Sequence, residues 1–217
     1  MENITFAFPQ SHTYGPAYFD FLALRKRFFV DTLGWDIPHD ARYEMDQYDN
    51  PTAYYSLVLK DGSVVGGARA QPTTAAWGDH TYMLRDALRG KLSSIPPEVM
   101  GADIVDSKVW ECTRLVIDDS VATHADRSTC LRLIVQGLID TAAGKGAEQL
   151  ISLSPLALMR ALRQLGFGAQ RLGSPYLNDG DGRRYAVLTM PTPPAGRVAP
   201  TTTHRLLQPE VVHAPAV

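Results

Sequence analysis

Cysteine is nearly absent from the 217 residues: only Cys112 and Cys130 occur, and no CxxC spacing joins them. A disulfide framework is therefore not expected, and free thiols in a cytoplasmic protein are. The six histidines fall at 12, 39, 80, 124, 204 and 213, with no HxxxH or HxH pair, so no metal centre is expected. An excess of one charge is also missing. Lys plus Arg number 21 against 23 Asp plus Glu, a formal net charge of −2. Nucleic-acid-binding domains usually carry a clear positive excess, so a nucleic-acid partner is not expected. No apolar run approaches the roughly 20 residues of a membrane span. The opening MENITFAFPQ has neither the basic nor the apolar segment of a signal peptide. Phosphate-loop, GxSxG and HExxH motifs are absent, and Gly166-x-Gly168 is followed by Gly173, which breaks the GxGxxG spacing.

What is present is ordinary globular usage: 45% apolar, 20% charged and 9% aromatic residues. One domain over 1–190 is expected. A Pro-rich tail over 191–217 holds six of the 15 prolines and reads as poorly ordered or strapped to the surface. Within the body, Ile4–Phe8 reads as a strand and Tyr18–Leu33 as one helix closed by Gly34. Tyr54–Lys60 and Ser63–Gln71 flank Asp61-Gly62, a strong hairpin signal. Tyr82–Leu88 reads as a short helix and Lys91–Ser107 as a loop. Val109–Ile117 reads as a strand, Asp126–Ala143 as a helix, Gln149–Leu153 as a strand and Pro155–Leu165 as a helix. Phe167–Leu172 and Tyr185–Met190 close the set. Hairpin pairs mixed with one βαβ crossover give an α+β fold around a mixed sheet.

Charged residues inside apolar segments mark the candidate site. Arg25 and Phe29 share one face of the first helix. Arg25 either snorkels to solvent or is buried and needs an anionic partner. Asp36, Asp40, Glu44, Asp46 and Asp49 crowd one loop beside a single Arg42. Such neighbours repel unless cations sit among them, whether arginines of the chain or a cationic ligand. Arg69 follows Gly66-Gly67, a pair that marks close approach of another backbone or ligand. Arg69 lies either at a wet edge or in a central strand against a carboxylate. Glu111 and Arg114 interrupt the apolar VWECTRLVI. Three residues apart, they belong on opposite faces of a regular strand unless a bulge re-aims one. A glutamate among apolar neighbours has a raised pKa and suits a general base near neutrality. The bland alternative is a structural ion pair.

Taken together, Arg25, Phe29, Trp35, Asp46, Asp49, Arg69, Glu111 and Arg114 resemble the pattern of the LuxI-type acyl-homoserine lactone synthases. So do the strings LGWDIP, YEMDQYD, GGARAQPT, YMLRD and WECTRLVID, although the Phe-Pro pair that often follows Met-Leu is missing. The resemblance is strong over 18–118 and looser over ISLSPLALMRALRQLGF. It implies a GNAT-like fold, a three-layer α/β sandwich with a mixed, splayed sheet flanked by helices. It also implies acyl transfer from an acyl carrier protein, or from coenzyme A, to the amine of S-adenosylmethionine. Lactonisation would then release methylthioadenosine and give a quorum-sensing signal. S-adenosylmethionine is a substrate, and no cofactor is expected.

In that reading Glu111 is the base, acting directly or through a water. The acidic loop, Glu44 included, meets the cationic substrate, and Arg25, Arg69 or Arg114 holds its carboxylate. Phe29 and Trp35 wall the nucleotide or order the loop, and Asp46 and Asp49 position it. Ser152 or Ser154 stands where the family recognises a 3-oxo acyl group. Arg25, Lys26, Arg27, Arg160, Arg163, Arg171, Arg183 and Arg184 offer a landing patch for an acidic carrier protein. The alternative is a GNAT-like N-acyltransferase with a different amine acceptor.

Overall fold

In the computed structural model, which describes residues 1–192, Asp61 and Gly62 both take positive φ, 53° and 79°. That is the geometry of a tight primed hairpin turn. It joins β2 (Tyr54–Lys60) to β3 (Ser63–Pro72). β1 (Glu2–Ala7) pairs antiparallel with β2, and β4 (Val109–Ile117) antiparallel with β3. β5 (Gln149–Pro155) is parallel to β4. Two short strands, β6 (Gln170–Arg171) and β7 (Tyr176–Leu177), pair with β8 (Arg184–Pro191), which runs antiparallel to β5. The order across the eight-stranded sheet is β1-β2-β3-β4-β5-β8-β6.

Among the described residues four α-helices accompany the sheet: α1 (Ala17–Arg25), α2 (Met83–Leu88), α3 (His124–Ala143) and α4 (Leu156–Gln164). Phe21, Leu22 and Leu24 of α1 pack with Tyr55, Leu57 and Val116 on one face of the sheet. Ile134, Leu138 and Leu162, from α3 and α4, pack with Val58, Trp110 and Leu150 on the other. This is the expected α+β sandwich of three layers. A third cluster sets Tyr82, Met83 and Leu84 against Val109, Ile151 and Val187, on the α1 side. No helix among the described residues is long and apolar enough to cross a membrane. Of the tail read over 191–217, Pro191 is the last residue of β8, and 193–217 lie outside the described residues.

Several boundaries differ from the sequence reading. The single helix expected over Tyr18–Leu33 ends as an α-helix at Arg25 and continues as a π-helical turn, Lys26–Thr32. Leu33 N donates to Phe28 O at 3.0 Å, the wider i→i−5 bond of that turn. Gly34 closes it at φ 70°. α3 starts two residues early because the Thr123 hydroxyl accepts from Asp126 N at 3.0 Å and caps it. β5 extends to Pro155, which precedes α4 rather than opening it. The strand expected over Phe167–Leu172 shrinks to β6, and β7 was not expected at all. The 91–107 loop holds a 3₁₀ turn, Pro97–Val99.

Two features of the sheet position the site. β4 and β5 pair only through Val109–Glu111 against Gln149–Ile151, and beyond Glu111 the strands part. The Gly66-Gly67 pair lets helices approach β3 from both sides. A Cβ on Gly66 would stand 2.8 Å from Cys130 Sγ of α3, and one on Gly67 would stand 2.6 Å from Leu57 Cδ2 and 2.8 Å from the Phe21 ring. Phe21 and Leu57 are wholly buried, so neither yields cheaply. Gly67→Ala is expected to cost about 1–3 kcal/mol by overpacking. At roughly 2–4 °C per kcal/mol for a chain of this size, thermal unfolding should show it clearly. An unchanged Tm would mean the layer is loosely packed.

Candidate active site

Two buried arginines, Arg25 and Arg69, and the partly buried Arg114 meet three carboxylates of the 44–49 loop. Arg25, at the end of α1, is 0% exposed. Its Nε donates to Glu44 at 2.6 Å, and its two terminal nitrogens donate to the two oxygens of Asp49 at 2.8 and 2.9 Å. Arg69 of β3, 1% exposed, grips Asp46 with both terminal nitrogens at 2.6 and 3.1 Å and lies 2.8 Å from Asp49. Arg114 of β4 reaches Glu44 at 3.1–3.2 Å and Asp46 at 2.8 Å. The Tyr55 hydroxyl donates to Asp49 at 2.8 Å, and Glu44 N donates to Leu22 O at 3.2 Å, which anchors the loop on α1. Burial alone would raise the Asp46 and Asp49 pKa values, but the facing guanidiniums hold both below the ordinary carboxylate range. The cluster is formally neutral, so Glu44, Asp46 and Asp49 are satisfied by the chain itself, while Asp36 and Asp40 stay exposed outside it. The wet-edge reading of Arg69 and the snorkelling reading of Arg25 are both overturned. Arg25 also drops out of any surface patch, whereas Arg160, Arg163, Arg171, Arg183 and Arg184 are exposed.

A bulge resolves the Glu111/Arg114 spacing. Gly67 faces Val116 while Arg69 faces Thr113, so Arg114 and Leu115 oppose Ala68 alone. Arg114 sits at φ 57°, which costs a non-glycine residue about 1–2 kcal/mol. That strain turns its guanidinium onto the side of Glu44 and Asp46, where it also lies 5.5 Å from the Phe29 ring centroid.

Glu111 is 1% exposed at the point where β4 and β5 part. Its oxygens accept from Met83 N at 2.9 Å and Leu84 N at 2.8 Å. Burial pushes its pKa up to about 7, and the two amides and Arg69 restrain the rise. A carboxyl held there exchanges protons at neutral pH.

The parted strands open into a cavity of about 940 Å³, within the range of small-molecule sites. Its lining includes Asp36, Asp46, Arg114 and Asp179 beside Trp35, and also Val135, Leu138, Leu158, Leu162 and Met190 of the core cluster built by α3 and α4. Phe29 and Trp35 stack on this wall with centroids 5.0 Å apart. Ser152 and Ser154, neighbours on one side of β5, share a hydrogen bond of 3.0 Å and also line it. Arg25, Arg69, Asp49 and Glu111 lie behind the wall rather than on it. Met83, Cys112 and Ile151, which flank Glu111, form the wall in front of it. Both cysteines are free, and burial pushes the Cys130 thiol up to about 11 and Cys112 higher still, as suits packing residues.

Sequence reasoning missed one residue here. Asp181, in the β7–β8 turn, accepts from Trp35 Nε1 at 3.2 Å and from the Tyr185 hydroxyl at 2.6 Å. It ties the stacked pair to the far end of the sheet. In sequence it reads only as part of the turn NDGDGRR.

Comparison with known proteins agrees with this geometry. The acyl-homoserine-lactone synthase of Acinetobacter nosocomialis is 33% identical over 184 residues, 82% of this chain and 94% of that one. That of Acinetobacter baumannii is 32% identical over 187 residues, with the same coverage. The structure of TofI in a ternary complex with an inhibitor and MTA is 26% identical with a TM-score of 0.66, over 88% of this chain and 92% of that one. The fold is shared with BjaI, a CoA-dependent acyl-homoserine lactone synthase, at 20% identity, TM-score 0.69 and 87% and 82% coverage. It is shared more distantly with a Lactobacillus plantarum protein assigned as an N-acetyltransferase, at 15% identity, TM-score 0.52 and 88% and 99% coverage. A family model described as autoinducer synthase matches residues 12–193. With most of its length matched by the family model and by relatives at 32–33% identity, the chain belongs to the autoinducer synthase family of the LuxI type.

Proposed function

We infer that this chain makes an acyl-homoserine lactone. An acyl group passes from a thioester to the amine of S-adenosylmethionine. The carboxylate of the acylated product then closes on the carbon bearing the sulfonium, and methylthioadenosine leaves. The observation that carries this reading is the splay of β4 from β5, with a carboxyl of pKa about 7 at its apex and a cavity lined by both charged and apolar side chains.

Each part of the substrate finds matching chemistry. Arg114, the one arginine of the buried cluster on the cavity wall, takes the substrate carboxylate. The stacked Phe29–Trp35 pair and Asp36 meet the sulfonium. Arg25, Arg69, Glu44, Asp46 and Asp49 hold the loop and do not react. Glu111 takes the ammonium proton through a water at the wall of Met83, Cys112 and Ile151, which frees the amine to attack the thioester. The backbone of β4 beyond Glu111, unpaired with β5, offers amides to the thioester carbonyl. The acyl chain runs between the strands toward Leu138, Leu158 and Leu162, passing the Ser152 and Ser154 hydroxyls. Arg163 and Arg171 line one shallow surface groove, a landing site for an acidic carrier protein.

A base of this kind must be ionised to work, so kcat/KM should rise with pH through a limb near 7. A limb near 4.5, the ordinary glutamate value, would show that burial does not tune Glu111. The function itself is tested by mass spectrometry of the medium from a bacterial host expressing the chain, beside the Glu111→Gln variant. A lactone-ring fragment seen only with the unaltered chain supports the reading and gives the acyl length. Acyl transfer to another amine, without a lactone, would replace it with the broader N-acyltransferase activity.

A further inference from the structure

Glu111 is held by α2, and α2 is held by something else. Both amides that donate to Glu111 belong to the first turn of that helix. The approach to this turn is fixed by Asp86, which is wholly buried. Asp86 accepts from the Thr81 hydroxyl at 2.7 Å and from Thr81 N at 3.2 Å. Its Oδ2 lies 3.1 Å from His80 Nδ1 and accepts from the Tyr48 hydroxyl at 3.1 Å. The Lys91 ammonium stands 3.8 Å away. Burial opposes ionisation of Asp86, but the bonds from Thr81 and His80 outweigh it and set its pKa below the ordinary value.

One carboxylate thus joins the residues leading into α2 to the loop of the ion cluster. Tyr48 N donates to Asp46 Oδ1 at 2.9 Å, and the Arg69 guanidinium lies 5.7 Å from the centroid of the Tyr48 ring. The contacts run unbroken from the cluster through Tyr48 and Asp86 to the first turn of α2, and from there to Glu111.

We propose that Asp86 is a positioning residue for the general base: it fixes the Met83 and Leu84 amides against Glu111 and, through Tyr48, couples their hold to the order of the 44–50 loop. This rests on Glu111 being the base. The two amides favour its ionised form, while burial favours the neutral one. Arg69 and Asp46 are the charged groups that act on Glu111, and the bonds that join them to each other and to Arg114 do not involve Asp86. If the first turn loosens, the amides withdraw and Glu111 ionises at higher pH. Activity then falls at neutral pH and recovers as pH rises. A purely structural role would instead lower activity equally at every pH.

The test is the pH profile of kcat/KM for the full chain and for Asp86→Ala, Asp86→Asn and Tyr48→Phe, with Glu111→Gln as control. Asp86→Ala should move the acid limb up by about one unit, which is about tenfold in activity below the limb. Asp86→Asn keeps an acceptor for Thr81 and should move the limb less, and Tyr48→Phe should shift it slightly in the same direction. If Asp86→Ala does not fold, the other two variants carry the test. Limbs that stay in place while Glu111→Gln is inactive overturn the positioning role alone. An active Glu111→Gln overturns the base reading and this inference with it.

Discussion

Replacing Glu111 with Gln is expected to lower kcat for acyl transfer by about 10²–10⁴-fold, the usual contribution of a positioned general base. That corresponds to about 3–5 kcal/mol of barrier. Binding of S-adenosylmethionine should change little, because Glu111 lies behind the cavity wall and bonds only to backbone amides. Stability should move the other way. In the folded chain the Glu111 pKa is near 7 against an ordinary 4.5, so the fold favours the protonated form. Ionising it above pH 7 costs folding free energy on the order of 3 kcal/mol at 1.36 kcal/mol per unit. The cost grows as pH rises from 4.5 to 7 and is complete above that. Glu111→Gln carries no such charge, so its Tm at pH 8 should equal or exceed that of the unaltered chain. Activity within tenfold of normal would remove Glu111 from the chemistry.

Arg25→Met should have the largest effect on stability. It takes one guanidinium from a sealed cluster and leaves Asp49 and Glu44 short of a partner. Breaking a buried pair in this way costs about 3–5 kcal/mol. With about 2–4 °C lost per kcal/mol, Tm should fall by roughly 6–20 °C. The pH dependence carries a second signature. Asp49 is held below its ordinary pKa, so its contribution is full above about pH 4 and is lost as pH falls through the lower folded value. Without Arg25 the Asp49 pKa rises, and acid unfolding should begin at higher pH. Lys26→Met, by contrast, removes a pair whose aspartate is half-exposed and should cost under about 1 kcal/mol.

The cluster was legible in the sequence because charge inside apolar strands and helices demands explanation. Arg25, Arg69, Glu111 and Arg114 stood out for that reason, and the loop carboxylates supplied the partners. The sequence left open whether a bulge would bring Arg114 round, since spacing alone does not show which residue goes unpaired. The π-helical turn was hidden because Phe28, Phe29 and Leu33 fit helical spacing with or without it. The run Arg25-Lys26-Arg27 looks like one surface patch, yet its first member is sealed in the core and its last is exposed. Asp181 gave no signal at all, and Asp86 appeared only as the last residue of the string YMLRD, with no role attached. Asp86 reads as the polar face of a short helix and Asp181 as a turn former, and only the folded chain brings them to His80 and Trp35.

The most direct measurement uses purified protein, S-adenosylmethionine and a panel of acyl donors on carrier protein and on coenzyme A. Methylthioadenosine, free donor thiol and lactone are counted together. One of each per turnover is expected, with all three lost in Glu111→Gln. Thiol released without methylthioadenosine would mean that the acyl group goes to another acceptor, and the synthase reading would fall.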